Sequence, residues 1–264
     1  MRGLIVAALV SVASMVWADV PQEMRAADVV ILGEVHDNAH AHARQAELVA
    51  ALQPGALVFE MLTPDQAGWV TPELRDDAGA LAQALDWQAG GWPDFEMYHP
   101  IFTAAPEARV FGAAVPRGAA REAMEAGVVA FFGGDAALYG LDEPLDADQQ
   151  AARERFQFKA HCEALPEEML PAMVDLQRLR DAELARQTRA ALNETGGPVV
   201  VITGNGHARK DWGMPVYLER VMPEAKVFSL AIAEEGETEG AFDAVEEVPV
   251  AEREDPCAAF RKDG

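Results

Sequence analysis

Two short runs of large apolar residues constrain this chain more than anything else in it. Val29-Val-Ile-Leu32 follows Asp28 and ends at Gly33-Glu34; Val199-Val-Val-Ile202 follows Pro198 and ends at Thr203-Gly204. A strand with one face in water alternates apolar and polar residues, whereas a strand covered on both faces is apolar throughout. Runs this short and this uniform predict the interior of a parallel sheet. Between them a helix is predicted from about Asn38 to Leu52. Asp37 or Asn38 caps it, Leu48, Val49 and Leu52 form its apolar stripe, and Pro54-Gly55 stops it. Ala56-Leu-Val-Phe59 is then a second strand, ending at Glu60. Strand, helix and strand in that order imply a right-handed parallel crossover.

Further strands are predicted at Arg109–Ala113, Val227–Ile232 and, as an edge, Asp243–Val250. Residues 62–106 are rich in Trp, Ala and acids and are predicted to be helical, with stretches near Thr63–Trp69 and Asp76–Gln88. Residues 116–127 and 146–193 are also predicted helices, the latter broken at Leu165-Pro166. From Pro171 to Leu192, Met173, Leu176, Leu179 and Leu184 make an amphipathic stripe. The expected fold is a three-layer α/β/α arrangement with a mainly parallel sheet and a helical insertion at about 62–106. One domain is expected over residues 19–264.

The first residues read as a signal for export. Arg2 gives a positive start, Gly3–Trp17 an apolar stretch, and Val16-Trp17-Ala18 a cleavage site before Asp19. The stretch is shorter than the roughly 20 residues that span a bilayer, and no cysteine stands near the cleavage point for lipid attachment. The expectation is a periplasmic protein with no transmembrane segment after cleavage. The net charge is −23, and loss of Arg2 with residues 1–18 makes it −24. Such a field repels phosphate backbones and argues against nucleic acid as a partner. Two cysteines, Cys162 and Cys257, remain; in an oxidising compartment they are expected to form a disulfide tying the C-terminal tail to the body.

Ligands in open α/β sheets sit beyond the carboxyl ends of the strands. Glu34 and His36 follow the first strand, Glu60 the second, and Asn205-Gly-His207-Ala-Arg209 the fourth. Parallel strands would bring all of them to one rim. Histidine binds metals and titrates near neutrality, and carboxylates complete metal sites or act as bases. His36, Glu60 and His207 are therefore candidate metal ligands, and Glu34, His36, Glu60 and His207 are candidate catalytic groups of a hydrolase. Arg209 can hold a carboxylate or propionate bidentately. His40 and His42, at the start of the helix, are expected to face solvent or a partner. Trp92, Met97, Tyr98, His99 and His161 combine apolar surface with side chains that ligate haem iron; ordinary packing under a helical lid explains the same residues.

Val29–Asn38 with His40, His42 and Gln45 resembles the opening motif of the ChaN-like haem-binding uptake proteins. Ile202–Arg209 with Asp211, Gly213 and Pro215 resembles their closing motif, and Gln177-Arg-Leu-Arg-Asp-Ala182 their long-helix motif. The resemblance spans roughly residues 28–232. It implies a fold shared with the erythromycin esterases and the TIKI-type metalloproteases. It also implies haem binding through an iron-bound tyrosine with a supporting histidine, a dimer that brings two haems together, and a role in haem or iron uptake beside transport components. His36 and His207 carry over to the shared strand-end motifs. Tyr98 is the first candidate iron ligand and Tyr139 the second, with His99 or His161 in support and Arg209 on a propionate. The alternative is a metal-dependent or Glu/His hydrolase of the esterase or TIKI type, with a divalent metal as its cofactor.

Overall fold

A computed structural model describes residues 20–235, 238–255 and 257–260. The expected signal segment and its cleavage point lie outside these residues. The sheet has six strands: β1 (Val29–Glu34), β2 (Ala56–Phe59), β3 (Arg109–Gly112), β4 (Val199–Gly204), β5 (Val227–Glu234) and β6 (Ala244–Val248). Their order is β3-β2-β4-β1-β5-β6, and every pairing is parallel, including that of the edge strand β6 with β5. The carboxyl ends of β2, β4 and β1 thus lie side by side.

Successive residues of each strand point to opposite faces, and each face has its own core. Val30, Leu32, Leu57, Phe59, Val200 and Ile202 pack under α1 (Ala39–Leu52) and α2 (Phe95–Ala104). There Phe59 stacks on Phe102 with ring centres 4.4 Å apart. Val29, Ile31, Val58, Val199 and Val201 pack on the other face. That face is covered by α3 (Arg117–Ala126), α4 (Ala147–Ala160), the 26-residue α5 (Leu170–Thr195), the single turn α6 (Asn205–Ala208) and α7 (Met214–Val221). Fully burying one such side chain is worth about 1.5–3 kcal/mol, so both faces must be covered.

Between β2 and α2 run four short helices: Pro64–Gly68, Pro72–Arg75, Ala78–Ala84 and Trp87–Gly90. The first starts with a reciprocal cap in which Thr63 and Gln66 each bond the other's backbone. α1 begins at Asn38, whose Oδ1 accepts from the His40 and Ala41 N–H groups at 2.8 and 3.2 Å. The break expected at Leu165-Pro166 separates α4 from α5. A helix at Val128–Phe132 was not expected from the sequence. Cys162 and Cys257 form the expected disulfide. No helix among the described residues is long and apolar enough to cross a membrane.

Candidate functional site

At the joined ends of β2, β4 and β1, buried carboxylates and histidines alternate in one chain of contacts. His207 Nδ1 lies 2.7 Å from Asp181 Oδ1, and its Nε2 is 3.4 Å from Glu60 Oε1. Glu60 Oε1 is 3.9 Å from His36 Nε2. His36 Nδ1 is 2.8 Å from Glu34 Oε1, and Glu34 Oε2 is 3.2 Å from His42 Nδ1. The backbone holds this series at fixed points. Glu60 Oε2 accepts from the Thr203 hydroxyl at 2.7 Å and the Gly204 N–H at 2.8 Å. Gly204 is required by close approach: a Cβ there would stand 2.8 Å from His36 Nε2.

Burial alone would raise Glu34, but hydrogen bonds and charge from His36 and His42 outweigh it and hold the carboxyl at about 2. Burial likewise opposes ionisation of Glu60, and the charges of His207 and His36 with the Gly204 N–H depress it well below the usual range. Burial lowers both histidines, yet Glu60 and Glu34 raise His36 to about 9, and Glu60 and Asp181 raise His207 to about 10. Asp181 is lifted to about 6 because burial exceeds the help it receives from His207. The floor is therefore a compensated set of ion pairs, as desolvated charges demand.

Above this floor opens a cavity of about 840 Å³, within the range of small-molecule sites. Its walls include Met61, Trp69, Trp87, Trp92, Val115 and Phe156, with Arg117, Arg180, Gln177 and His161 among them and His36, Glu60 and His207 at the base. Trp69 is half exposed, at 49 %.

The expected rim residues His36, Glu60 and His207 do meet. They meet as carboxylate–histidine pairs, and among the described residues no three His, Cys, Asp or Glu side chains group so as to hold a metal ion. One oxygen of Glu60 is taken by Thr203 and Gly204 and Nδ1 of His207 by Asp181, which leaves Glu60 Oε1 between His207 Nε2 at 3.4 Å and His36 Nε2 at 3.9 Å. Other expected groups lie elsewhere. Tyr98 is fully buried, donates to Glu34 at 3.0 Å and packs on His42; it does not line the cavity. Burial beside Glu34 raises its hydroxyl far above the ordinary range. Tyr139 is buried against Phe132 in the opposite layer. His99 is turned to the Arg75 carbonyl at 2.7 Å. Met97 packs on the core of the α2 face. Arg209 is buried outside the cavity wall, paired with Asp211 at 2.7 Å, its guanidinium 3.4 Å above the Trp212 ring. His42, expected at the surface, is fully buried and lies 2.8 Å from the His36 carbonyl. It stands three and seven residues before Gln45 and Val49 on the face of α1 turned to the sheet, while His40 is exposed.

Sequence reasoning assigned no role to Asp181, Gln177, Arg180 or Arg117. The signal for Asp181 was an acid within the core-facing stretch of α5, four residues after Gln177 and so on the same side of the helix. Gln177 Nε2 lies 3.1 Å from the His207 ring. Arg180 is pushed below its ordinary value by burial, against the charges of Glu60 and Asp181.

A family model described as haem-binding uptake, Tiki superfamily, ChaN matches residues 20–218. The chain belongs to this family. Among solved structures, this ChaN-family protein is similar to ChaN of Campylobacter jejuni, described with cofacial haem binding. The TM-score is 0.65 at 20% identity, over 84% of this chain and 88% of that one. The type III effector HopBA1 aligns with a TM-score of 0.43 at 14% identity, over 85% of this chain and 90% of that chain. A Bacillus cereus protein aligns at 0.41 and 15%, over 81% and 68%. No curated protein matches.

Proposed function

We propose that this protein binds haem in the cavity beyond β1, β2 and β4, as an exported component of haem or iron uptake. One observation carries the reading: in a chain of the ChaN family, an apolar, tryptophan-rich cavity stands directly on a floor of histidines paired with buried carboxylates. The donor set fits the group. A porphyrin needs apolar walls, which Trp69, Trp87, Trp92, Met61 and Phe156 supply, and its iron needs a nitrogen or oxygen ligand. Arg117 and Arg180 are the arginines of the wall, and they take the part that the sequence suggested for Arg209, pairing the propionates. The haem would supply the iron as cargo. The chain's own residues would exclude water, orient the macrocycle and hold its carboxylates.

Hemin titrated into the purified protein is expected to saturate near one equivalent, with a shifted Soret band. Substituting Arg117 and Arg180 together by Ala is expected to weaken binding about tenfold, by loss of charge-assisted pairs. A titration indistinguishable from hemin in buffer would remove the reading. Cofacial pairing of two haems, as in the Campylobacter jejuni protein, would require a dimer; light scattering would show the mass doubling on loading. Periplasmic residence is checked by fractionating cells that express the full chain and sequencing the mature N-terminus.

A further inference from the structure

We propose that the Cys162–Cys257 disulfide is a thiol-operated strap on the cavity. Closed, it holds the wall that α4 contributes; cut by a dithiol, it lets the end of that wall unwind and the occupant leave. The proposal rests on the reading above in taking haem as the occupant. α4 and the residue after it supply Phe156, Gln157, Ala160 and His161 to the cavity lining, and Cys162 comes next. The Cys162 N–H bonds the Lys159 carbonyl at 3.0 Å and the Glu163 N–H the Phe158 carbonyl at 2.9 Å. These paired bonds close a helix whose terminal residue turns left-handed, and that residue is usually glycine, because a Cβ opposes the conformation. Here it is Cys162, at φ +58°, and Glu163 follows at φ +56°. Two successive residues with side chains therefore sit in a region that their surroundings must impose.

The bridge is what imposes it. Cys257 belongs to a tail that is anchored elsewhere. Asn38 Nδ2 donates to the Pro249 carbonyl at 2.8 Å, the Ala251 N–H donates to Glu234 at 3.0 Å, and Arg253 bonds both Asp37 and Glu234 at 2.8 Å. The tail thus rests on the loop after β1 and on the end of β5, and the disulfide carries that anchorage to the end of α4. Both cysteines are partly exposed, so a reductant can reach the sulfurs. The chain has two cysteines in all, so a cut bridge either stays open or re-forms. In the exchange, a thiolate of the dithiol attacks one bridge sulfur and the other leaves as a thiolate. The second sulfur of the dithiol then displaces the first cysteine. Two electrons pass to the protein, the dithiol departs as a disulfide, and its two protons end on Cys162 and Cys257. The cost of the left-handed turn then falls on the hydrogen bonds of the last helical turn alone. That turn carries Ala160 into the wall and holds His161, whose Nδ1 lies 2.8 Å from the Gln157 carbonyl.

The test follows the whole mature chain as oxidised wild type, as wild type reduced with a dithiol and freed of it without air, and as Cys162→Ser/Cys257→Ser. Amide hydrogen exchange over residues 158–163 and transfer of hemin to excess apomyoglobin are measured on each. Both open forms are expected to exchange faster at the end of α4, with the strands unchanged, and to release hemin about tenfold faster, the weight of one left-handed residue. Reoxidising the reduced wild type is expected to restore slow release. Cys162→Gly/Cys257→Ser separates the wall from the tail. It is equally unbridged, but glycine takes the left-handed turn without strain, so release at the oxidised wild-type rate is expected. Equal exchange and equal release in oxidised and reduced protein would overturn the proposal. So would fast release from the glycine variant, which would make the freed tail, and not the helix end, the cause. An oxidised protein that takes up no hemin would remove the haem reading; the exchange measurement then decides the strap by itself, and unchanged amides at the end of α4 would overturn it.

Discussion

The floor of the cavity shows how much a buried residue depends on its neighbours. Glu34, Glu60 and Asp181 are each nearly removed from water, and each faces a histidine that would itself be neutral if buried alone. Their titrations set the pH dependence of folding. His36 and His207 are raised to about 9 and about 10. Their contribution is full below about 6.5, the ordinary value, and is lost as pH rises through 9 to 10. Glu34, held at about 2, contributes fully above its ordinary value near 4.5 and loses that contribution as pH falls toward 2. Asp181, raised to about 6, favours the protonated fold below its ordinary value and loses this contribution between there and pH 6. The apo-protein's Tm is therefore expected to fall by about 5 °C or more between pH 6.5 and 10, from about 2 kcal/mol in a chain of this size. His207→Gln is expected to flatten that alkaline limb. Calorimetric scans across the range check it, and a limb as steep in the variant as in the wild type would refute the attribution to His207.

At the scale of elements, the site exists because three strands end in register. Glu34 pairs with Gly204 across β1 and β4, and Phe59 with Ile202 across β2 and β4, so Glu60 emerges beside Thr203 and Gly204. The return of the chain after β2 is set by a second close approach. A Cβ on Gly112, the last residue of β3, would stand 2.3 Å from the Thr63 carbonyl oxygen and 2.4 Å from that of Leu62. Both are backbone atoms, so relief requires moving the segment that follows Glu60. Gly112→Ala is expected to destabilise the fold by about 2–3 kcal/mol, the usual cost of overpacking, and to weaken hemin binding by displacing Glu60 and Met61. Urea unfolding measures the first effect; a change in midpoint worth less than about 0.5 kcal/mol would mean that the segment yields freely.

For the whole molecule, the Cys162–Cys257 bridge closes a loop of 95 residues and anchors the tail next to His161 on the cavity wall. The tail also docks through Arg253 on Asp37 and Glu234 and through the Pro249 carbonyl on Asn38. Closing a loop of that length is worth about 4.7 kcal/mol in chain-entropy terms. Replacing both cysteines by Ser is expected to lower Tm by about 10 °C while the sheet and its floor persist in circular dichroism and fold-sensitive fluorescence. A Tm unchanged in the double variant would show that the docking contacts alone hold the tail.

The sequence by itself determined the parallel sheet, because uniformly apolar runs ending in Gly or Glu suit only strands covered on both faces. It also determined which strand ends carry His36, Glu60 and His207, while the β2-β4-β1 order and register that set those ends side by side belong to the assembled sheet. Tertiary structure alone decided the rest. His42 and Asp181 read as polar residues on helices, and only the packing of α1 and α5 turned them inward to complete the ion pairs. Tyr98 and Arg209 read as residues free to meet a ligand. A buried carboxylate took the hydroxyl of the first, and Asp211 and Trp212 took the guanidinium of the second. A side chain's type fixes what it can bind, and the three-dimensional neighbourhood fixes whether that capacity is already spent.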